Sequence, residues 1–288
     1  MKKSILALAV VLGASTTFAQ DLTSKKGENY LPQAGDWAIG IDAVPVLNYI
    51  GNFFGKASDN NYAGGIWDFT NPNVVITGKY FVEDGMAYRA GINIGLTSAT
   101  DRALTPSLAA GATADDRVED VRKVSSNAIY LTGGMEWRKG TTRLQGFYGA
   151  ELGLGFGGGS KITYEYGNAY DLAGTVPVTT LINAVDGLNA DVTEIKSKGG
   201  VMIGLRGFIG AEYFMIPKLS LGGEFGWGLG FQTLGEASTT SQRVNAGGTA
   251  MEENTVINRS KSSSFRLGTD NGKGIWGPSA RLNLTFHF

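Results

Sequence analysis

The feature that most constrains this chain is a strict alternation of apolar and polar residues, which recurs in eight short segments. In the last nine residues, Ala280, Leu282, Leu284, Phe286 and Phe288 alternate with polar residues and His287. A period of two places the two sets on opposite faces of a β-strand. The other seven segments are 37–44, 74–82, 88–97, 129–138, 144–156, 201–213 and 219–232. The pattern therefore predicts an all-β fold with eight antiparallel strands.

The polar faces of these segments are unusual because they consist mostly of glycine. Glycine makes up 43 of 288 residues, about twice the usual frequency of ~7 %. A row of glycines offers water little to solvate, but it suits a narrow lumen in which side chains compete for room. The apolar faces, rich in Leu, Ile, Phe and Trp, would then point outward. A soluble protein rarely exposes so large an apolar area, which favours lipid as the surrounding solvent.

Strands that cross hydrocarbon must close on themselves, because an open edge leaves peptide groups unpaired at several kcal/mol each. The fold predicted here is a closed eight-stranded antiparallel transmembrane β-barrel with up-and-down meander topology, covering residues 36–288. A soluble, secreted β-sandwich is the alternative fold.

The connections between the segments alternate strictly between short and long. Three are tight, at 83–85, 139–141 and 216–218, and four are long, at about 45–73, 98–126, 158–199 and 235–276. Bacterial outer-membrane barrels have short periplasmic turns and long external loops. We therefore expect four extracellular loops and periplasmic termini, in the outer membrane of a Gram-negative bacterium.

The first nineteen residues have the pattern of a secretory signal peptide. Lys2 and Lys3 precede an apolar stretch from Ile5 to Gly13, and Thr17, Phe18 and Ala19 form a small-x-small cleavage site. The apolar stretch is too short to span a bilayer. The sequence predicts export through the Sec pathway, removal of residues 1–19 and a periplasmic N-terminal segment at 20–35.

The chain resembles the small eight-stranded outer-membrane barrels of the OmpX and OmpA-transmembrane type. The resemblance lies in the architecture of residues 36–288 and in the last strand, whose outward residues end in Leu284, Phe286 and Phe288. It implies that these three residues act as the signal read by the barrel-assembly machinery, and that outer-membrane lipid and lipopolysaccharide surround the barrel. The loops of this chain are longer than those of OmpX.

Charged residues on the glycine-rich faces predict ion pairing inside the barrel, because eight strands enclose a space that side chains can fill. Matching heights above the turns places Glu151, Arg206, Glu224 and Arg281 at mid-barrel, with Asp42 across the closing pair of strands. A second cluster is expected near the periplasmic end, formed by Lys79, Arg89, Glu136, Arg138, Arg143 and Glu212. Pairing satisfies charges that have left water. A gated, very narrow conduit is the alternative interpretation.

The composition excludes several kinds of chemistry. The chain has no cysteine, a formal charge of -1 and a single histidine, His287, on the lumenal face at the periplasmic rim. A cysteine nucleophile and a nucleic-acid footprint are thereby excluded. Histidine-dependent catalysis facing the outer surface is excluded too, because its general base is missing. We expect no enzyme activity, no metal site and no cofactor.

The first long connection is too apolar to extend freely into water. Its apolar side chains could cover the barrel mouth as a plug or dock on a partner protein; they include Tyr49, Ile50, Phe53, Phe54 and Trp67. The leading hypothesis is a non-enzymatic outer-membrane barrel whose loops serve surface interaction, or an accessory subunit of an outer-membrane assembly. The alternatives are a narrow channel for small solutes or ions, and a lipid-modifying outer-membrane enzyme.

Overall fold

The computed structural model describes residues 22–43, 76–172, 181, 191–269 and 281–288. Within these ranges the chain forms twelve β-strands, and every pairing between them is antiparallel. The prediction of an all-β antiparallel fold is confirmed. The strands are β1 (Trp37–Asp42), β2 (Ile76–Glu83), β3 (Met86–Pro106), β4 (Arg117–Lys139), β5 (Leu144–Glu165), β6 (Val192–Ser197), β7 (Gly200–Ile216), β8 (Leu219–Leu234), β9 (Ala237–Val244), β10 (Met251–Arg259), β11 (Ser262–Thr269) and β12 (Arg281–His287).

Eight of these strands pair in a closed ring. The order is β1, β2, β3, β4, β5, β7, β8 and β12, and β12 returns to β1 with Phe286 opposite Ile39. Each ring strand overlaps one of the eight alternating segments. The alternation therefore located the members of the ring correctly.

The other four strands prolong the ring strands in one direction. β5 pairs with β7 up to Gly157 and with β6 from Ser160 onward, so β6 and β7 follow one line. In the same way β9 continues the line of β8, and β10 and β11 lie on the line of β12. We call β6, β9, β10 and the parts of β3, β4 and β5 beyond Leu96, Ile129 and Phe156 the extension.

The extension corrects the loop boundaries expected from sequence. Residues 98–106 and 117–126 are paired strand, and only 107–116 form a turn. The connections expected at 158–199 and 235–276 likewise contain strand, namely residues 158–165 of β5 and the strands β6, β9, β10 and β11. Polar residues predominate in these segments and obscure the alternation on which the strand prediction depends, although β11 exposes Phe265 and Leu267 on the same outer face as Phe231 and Leu229. The connection expected at 45–73 lies outside the described residues.

A bulge marks the passage of β5 from the ring to the extension. The register with β4 shifts beside Asn127, and Gly157 and Gly158 have φ angles of 106° and 70°. L-residues with side chains rarely adopt this left-handed region, whereas glycine enters it freely. The two glycines let β5 change partner at this level.

The opposite end of the ring, which we call the turn end, carries the three tight turns and the N-terminal segment. The Gly35 N–H donates to the Phe81 carbonyl at 2.8 Å, and the Ala34 N–H donates to the Asp84 carboxylate at 2.9 Å. The Arg143 guanidinium lies 4.2 Å from the ring centre of Tyr30. These contacts hold the N-terminal segment against the ring.

The two faces of the ring strands differ sharply in burial. Leu282, Phe225 and Leu152 point outward with exposures of 37%, 46% and 47%, whereas Glu224 and Arg206 point inward with 3% and 1%. In a soluble protein, large apolar side chains are mostly buried and charged side chains are mostly exposed. We call the outward apolar side chains of the ring the apolar band; it includes Trp37, Ile39, Tyr88, Ile92, Ile94, Leu96, Ile129, Leu131, Tyr148, Leu152, Phe156, Val201, Ile203, Leu205, Ile209, Phe225, Trp227, Leu229, Phe231, Leu282 and Phe286.

Candidate functional site

Among the side chains that the structure describes, nine charged ones fill the interior of the ring, contributed by β2, β3, β4, β5, β7, β8 and β12. All except Arg281 have less than a tenth of their surface exposed, and each has an opposite charge within 4 Å. We call them the interior network: Lys79, Arg89, Glu136, Arg138, Glu151, Arg206, Glu212, Glu224 and Arg281. These side chains point inward because successive residues of a strand face opposite sides, and each of the nine lies an odd number of positions from the outward residues of its own strand.

The half of the network nearest the turn end is a four-membered set with alternating charge. Glu136 lies 3.1 Å from Lys79 and 3.0 Å from Arg138. Glu212 lies 3.5 Å from Lys79 and 2.5 Å from Arg138. The Arg138 Nε also donates to the Gln145 side chain at 2.8 Å. Two carboxylates thus share two cations, which offsets the cost of removing all four from water.

The half nearest the extension is built around Arg206. One of its Nη atoms lies 3.0 Å from Glu151 and 2.9 Å from Glu224. Arg281 lies farther from the same two carboxylates, at 3.6 and 3.8 Å. The two carboxylates thus lie between two cations.

Arg89 joins the two halves into one network. Its guanidinium lies 3.3 Å from Glu136, 3.0 Å from Glu224 and 3.6 Å from Glu151. Sequence reasoning put Arg89 in a separate periplasmic cluster. The Cα of Arg89 lies at the level of that cluster, but its long side chain also reaches Glu151 and Glu224 in the half nearest the extension.

Four phenylalanines share the interior with these charges and were not part of the sequence prediction. Arg89 lies 4.2 Å from the Phe208 ring centre, and Lys79 lies 5.2 Å from that of Phe147. The Arg138 guanidinium lies between Phe81 and Phe214, at 5.5 and 5.6 Å. Such cation–π contacts are favourable when both groups are desolvated. Strand parity would have found Phe208, because it shares a face with Arg206.

Glycines make room for the largest interior side chains. Gly149 faces Phe208 on β7, and Gly210 faces Phe147 on β5. A Cβ added at Gly149 would lie 2.5 Å from the Phe208 ring, and one at Gly210 would lie 2.3 Å from the Phe147 ring. At these two positions, reciprocal pairing with phenylalanine explains the glycine on the inner face.

The variant Gly149→Val tests this packing. It should fold poorly, because its Cβ would also lie 2.1 Å from the Met135 carbonyl oxygen and overpacking typically costs about 1–3 kcal/mol or more. Gly133→Val is the control, since a Cβ at Gly133 meets no atom within 4 Å. Refolding yield in detergent measures both, and equal yields would contradict the packing argument.

The remaining predicted residues lie elsewhere or cannot be placed. Arg143 is not in the interior network; it precedes β5, and its guanidinium donates to the backbone carbonyls of Phe214 and Met215. The backbone of Asp42 pairs with Asn283, but its side chain lies outside the described part of the chain. Tyr49, Ile50, Phe53, Phe54 and Trp67 also lie outside the described residues.

The single histidine belongs to a buried group at the turn end that sequence reasoning did not assemble. The Ser220 hydroxyl lies 3.0 Å from His287 Nε2, and Glu212 lies 3.5 Å from the same nitrogen. In a catalytic triad the carboxylate holds the other ring nitrogen. Here Nδ1 has no hydrogen-bond partner among the described residues, and Ser220 is fully buried. The arrangement is that of a packed polar group rather than a hydrolytic site.

The described residues contain no group of three or more His, Cys, Asp or Glu side chains arranged to hold a metal ion. No helix among them is long and apolar enough to cross a membrane.

Comparisons with known proteins find structural likenesses, two of which are outer membrane proteins from different bacteria. Neither a family model nor a curated protein sequence matches the chain. The outer membrane protein OprG from Pseudomonas aeruginosa is 9% identical, with a TM-score of 0.34, over 90% of this chain and 98% of that one. A major outer membrane protein from Thermus thermophilus is 13% identical, with a TM-score of 0.27, over 88% and 98%. Both likenesses are too low to bear on what this chain does.

Proposed function

We propose that this chain is a non-enzymatic outer-membrane protein of a Gram-negative bacterium, a closed eight-stranded transmembrane β-barrel that presents the extension at the cell surface. The observation that carries this proposal is the change along the outer face of the strands. The outer face is apolar around the ring; on the extension it is mostly polar, although Leu104 and Ile257 are exposed there. Hydrocarbon is the solvent that such a band requires.

The height of the apolar band supports this location. On β5 the outward side chains stay apolar or small from Leu144 to Phe156 and become polar at Lys161, Thr163 and Glu165. Thirteen residues at ~3.3 Å each, tilted by about 40°, rise roughly 30 Å, which matches the hydrocarbon core of a bilayer. The extension would then stand in the aqueous layer beyond the membrane.

The orientation proposed here has the turn end in the periplasm. Short turns lie on that side in known bacterial barrels, and a secretory leader at residues 1–19 would deliver the chain from the inner membrane. Leu284, Phe286 and Phe288 would then end the last strand at the periplasmic side, where the barrel-assembly machinery could read them.

Cysteine labelling tests this orientation, because the natural chain has no cysteine. Thr100→Cys on the extension should react with a membrane-impermeant maleimide in intact cells. Thr141→Cys, in a tight turn, should react only after the outer membrane is permeabilised. The reverse pattern would overturn the orientation, and labelling of both in intact cells would argue against insertion.

Surface interaction, rather than transport, is the role that the interior supports best. The network and its four phenylalanines occupy the ring at the level where a solute would have to pass. A solute that displaced one of these side chains would separate ion pairs of less than 4 Å and leave a buried charge without a partner, which is costly. The extension offers the surface on which a partner protein, or an outer-membrane assembly that includes this chain, could dock.

Planar-bilayer recording separates the binding role from the channel alternative. We expect no single-channel conductance from the wild type, and none from Arg206→Ala, because removing one guanidinium leaves Phe208, Arg89 and Arg281 in place. Ion-selective steps that Arg206→Ala enlarges would favour a narrow conduit. Crosslinking in intact cells through Thr100→Cys then tests for a protein partner at the extension.

A further inference from the structure

Directly beyond the apolar band, one transverse row on the outer face of the extension combines hydroxyl groups with two lysines. The pairings Ser98 with Ser125, Ser125 with Lys161, Lys161 with Lys196 and Lys196 with Ser238 place these residues side by side on β3, β4, β5, β6 and β9. We call it the serine–lysine row. Both lysines are exposed.

The centre of this row holds two like charges on adjacent strands. Directly opposite residues of an antiparallel pair have Cβ atoms about 5 Å apart, and like charges there are destabilising. Lys161 is partly compensated by Glu194 at 2.9 Å. Lys196 makes no ion pair with any described residue. Among the described residues, the Lys196 ammonium therefore lacks an anion, and its neighbours in the row are a second ammonium on one side and the Ser238 hydroxyl on the other.

The row lies at the height of lipid headgroups in the proposed orientation. Ser125 is four residues beyond Ile129, the residue at which the apolar band ends on β4. Four residues at ~3.3 Å, tilted by about 40°, place it roughly 10 Å above the band. A lysine side chain can lean several ångströms back toward the membrane while its ammonium stays in the polar layer.

We propose that the serine–lysine row binds the phosphate of a phosphorylated glycolipid headgroup in the outer leaflet. Two ammonium groups supply charge complementarity, and serine hydroxyls supply hydrogen bonds to the remaining phosphate oxygens. The site is continuous with the apolar band, so acyl chains of the same lipid can lie on Leu96, Ile129 and Phe156. The inference rests on the proposed outer-membrane location and names one lipid that the protein holds there.

The test uses the full-length mature protein in detergent and measures bound lipid by native mass spectrometry, with bisphosphorylated lipid A as the probe. Lys161→Ala/Lys196→Ala should bind lipid A about tenfold or more weakly than the wild type, since each lysine near an anionic lipid surface contributes about 1 kcal/mol. Lys25→Ala/Lys26→Ala removes two neighbouring exposed lysines at the turn end and should bind as the wild type does.

Two further measurements show whether the phosphate of the lipid headgroup is what the row recognises. Dephosphorylated lipid A should bind the wild type and the row variant equally weakly, and inorganic phosphate at the same concentration should not compete. Equal affinity of the row variant and the wild type for lipid A overturns the proposal for the row. Failure of the wild type to insert into phospholipid vesicles would instead overturn the outer-membrane location, so the two failures are distinguishable.

Discussion

Leu205→Arg is expected to lose about 2–4 kcal/mol of its free energy of unfolding in phospholipid vesicles. Leu205 lies in the middle of the apolar band, between Leu152 and Leu229 on the neighbouring strands, and half of its surface is exposed. In water a substitution at such an exposed position changes stability by no more than about 0.5 kcal/mol. If the position faces hydrocarbon, folding must transfer the guanidinium from water into the membrane, which destabilises the folded state. Urea unfolding followed by tryptophan fluorescence measures the difference.

Thr100→Arg is the matched control for this experiment. It introduces the same side chain on the outer face of β3, but at an exposed position of the extension. Lys123 lies directly opposite on β4, and like charges at such positions cost up to about 1 kcal/mol, so the stability should fall by no more than that. If Leu205→Arg were as harmless as Thr100→Arg, the apolar band would face water and the proposed location would fail.

Arg89→Ala is expected to be the most damaging substitution in the interior, at about 3–5 kcal/mol of unfolding free energy. Three buried carboxylates, Glu136, Glu151 and Glu224, lie within 4 Å of its guanidinium. Removing one partner of a buried pair leaves charge without compensation, which costs more than the pair itself contributes. The loss of the contact with Phe208 adds to the effect.

Arg102→Ala controls for the loss of an arginine from the same strand. Arg102 pairs with Glu119 on the extension, where 61% and 45% of their side-chain surfaces are exposed. Exposed pairs contribute about 0–1 kcal/mol, so this variant should unfold almost as the wild type does. Equal losses for Arg89→Ala and Arg102→Ala would mean that the interior network is solvated.

The alternation of side chains predicted the ring but could not reveal the extension. Period two is strong where one face is apolar, as in β12, and it identified all eight ring strands. In β9 and β10 neither face is consistently apolar: Ser, Thr, Glu and Asn predominate, and the apolar Val256 and Ile257 lie on opposite faces. Such strands are stabilised by backbone pairing with their neighbours, which no local pattern records. They were therefore predicted to be loops.

The sequence predicted which charged residues form the interior network, but not which of them contact one another. Parity and height above the turns brought together Glu151 and Arg206, which are direct neighbours across β5 and β7. The reach of Arg89 across the ring depends on the conformation of its side chain and on the space left by glycines. Arg143 was misplaced because parity stops applying where the strand ends and the turn begins.

The solvent around Leu152 is the most direct test of the whole account. A nitroxide attached to Leu152→Cys, in the mature protein reconstituted into phospholipid vesicles, should collide more often with dissolved oxygen than with a water-soluble nickel chelate. A nitroxide on Thr100→Cys should show the opposite preference. If the label at position 152 met the nickel chelate as often as the label at position 100, the outer face of the ring would be in water and the account would be wrong.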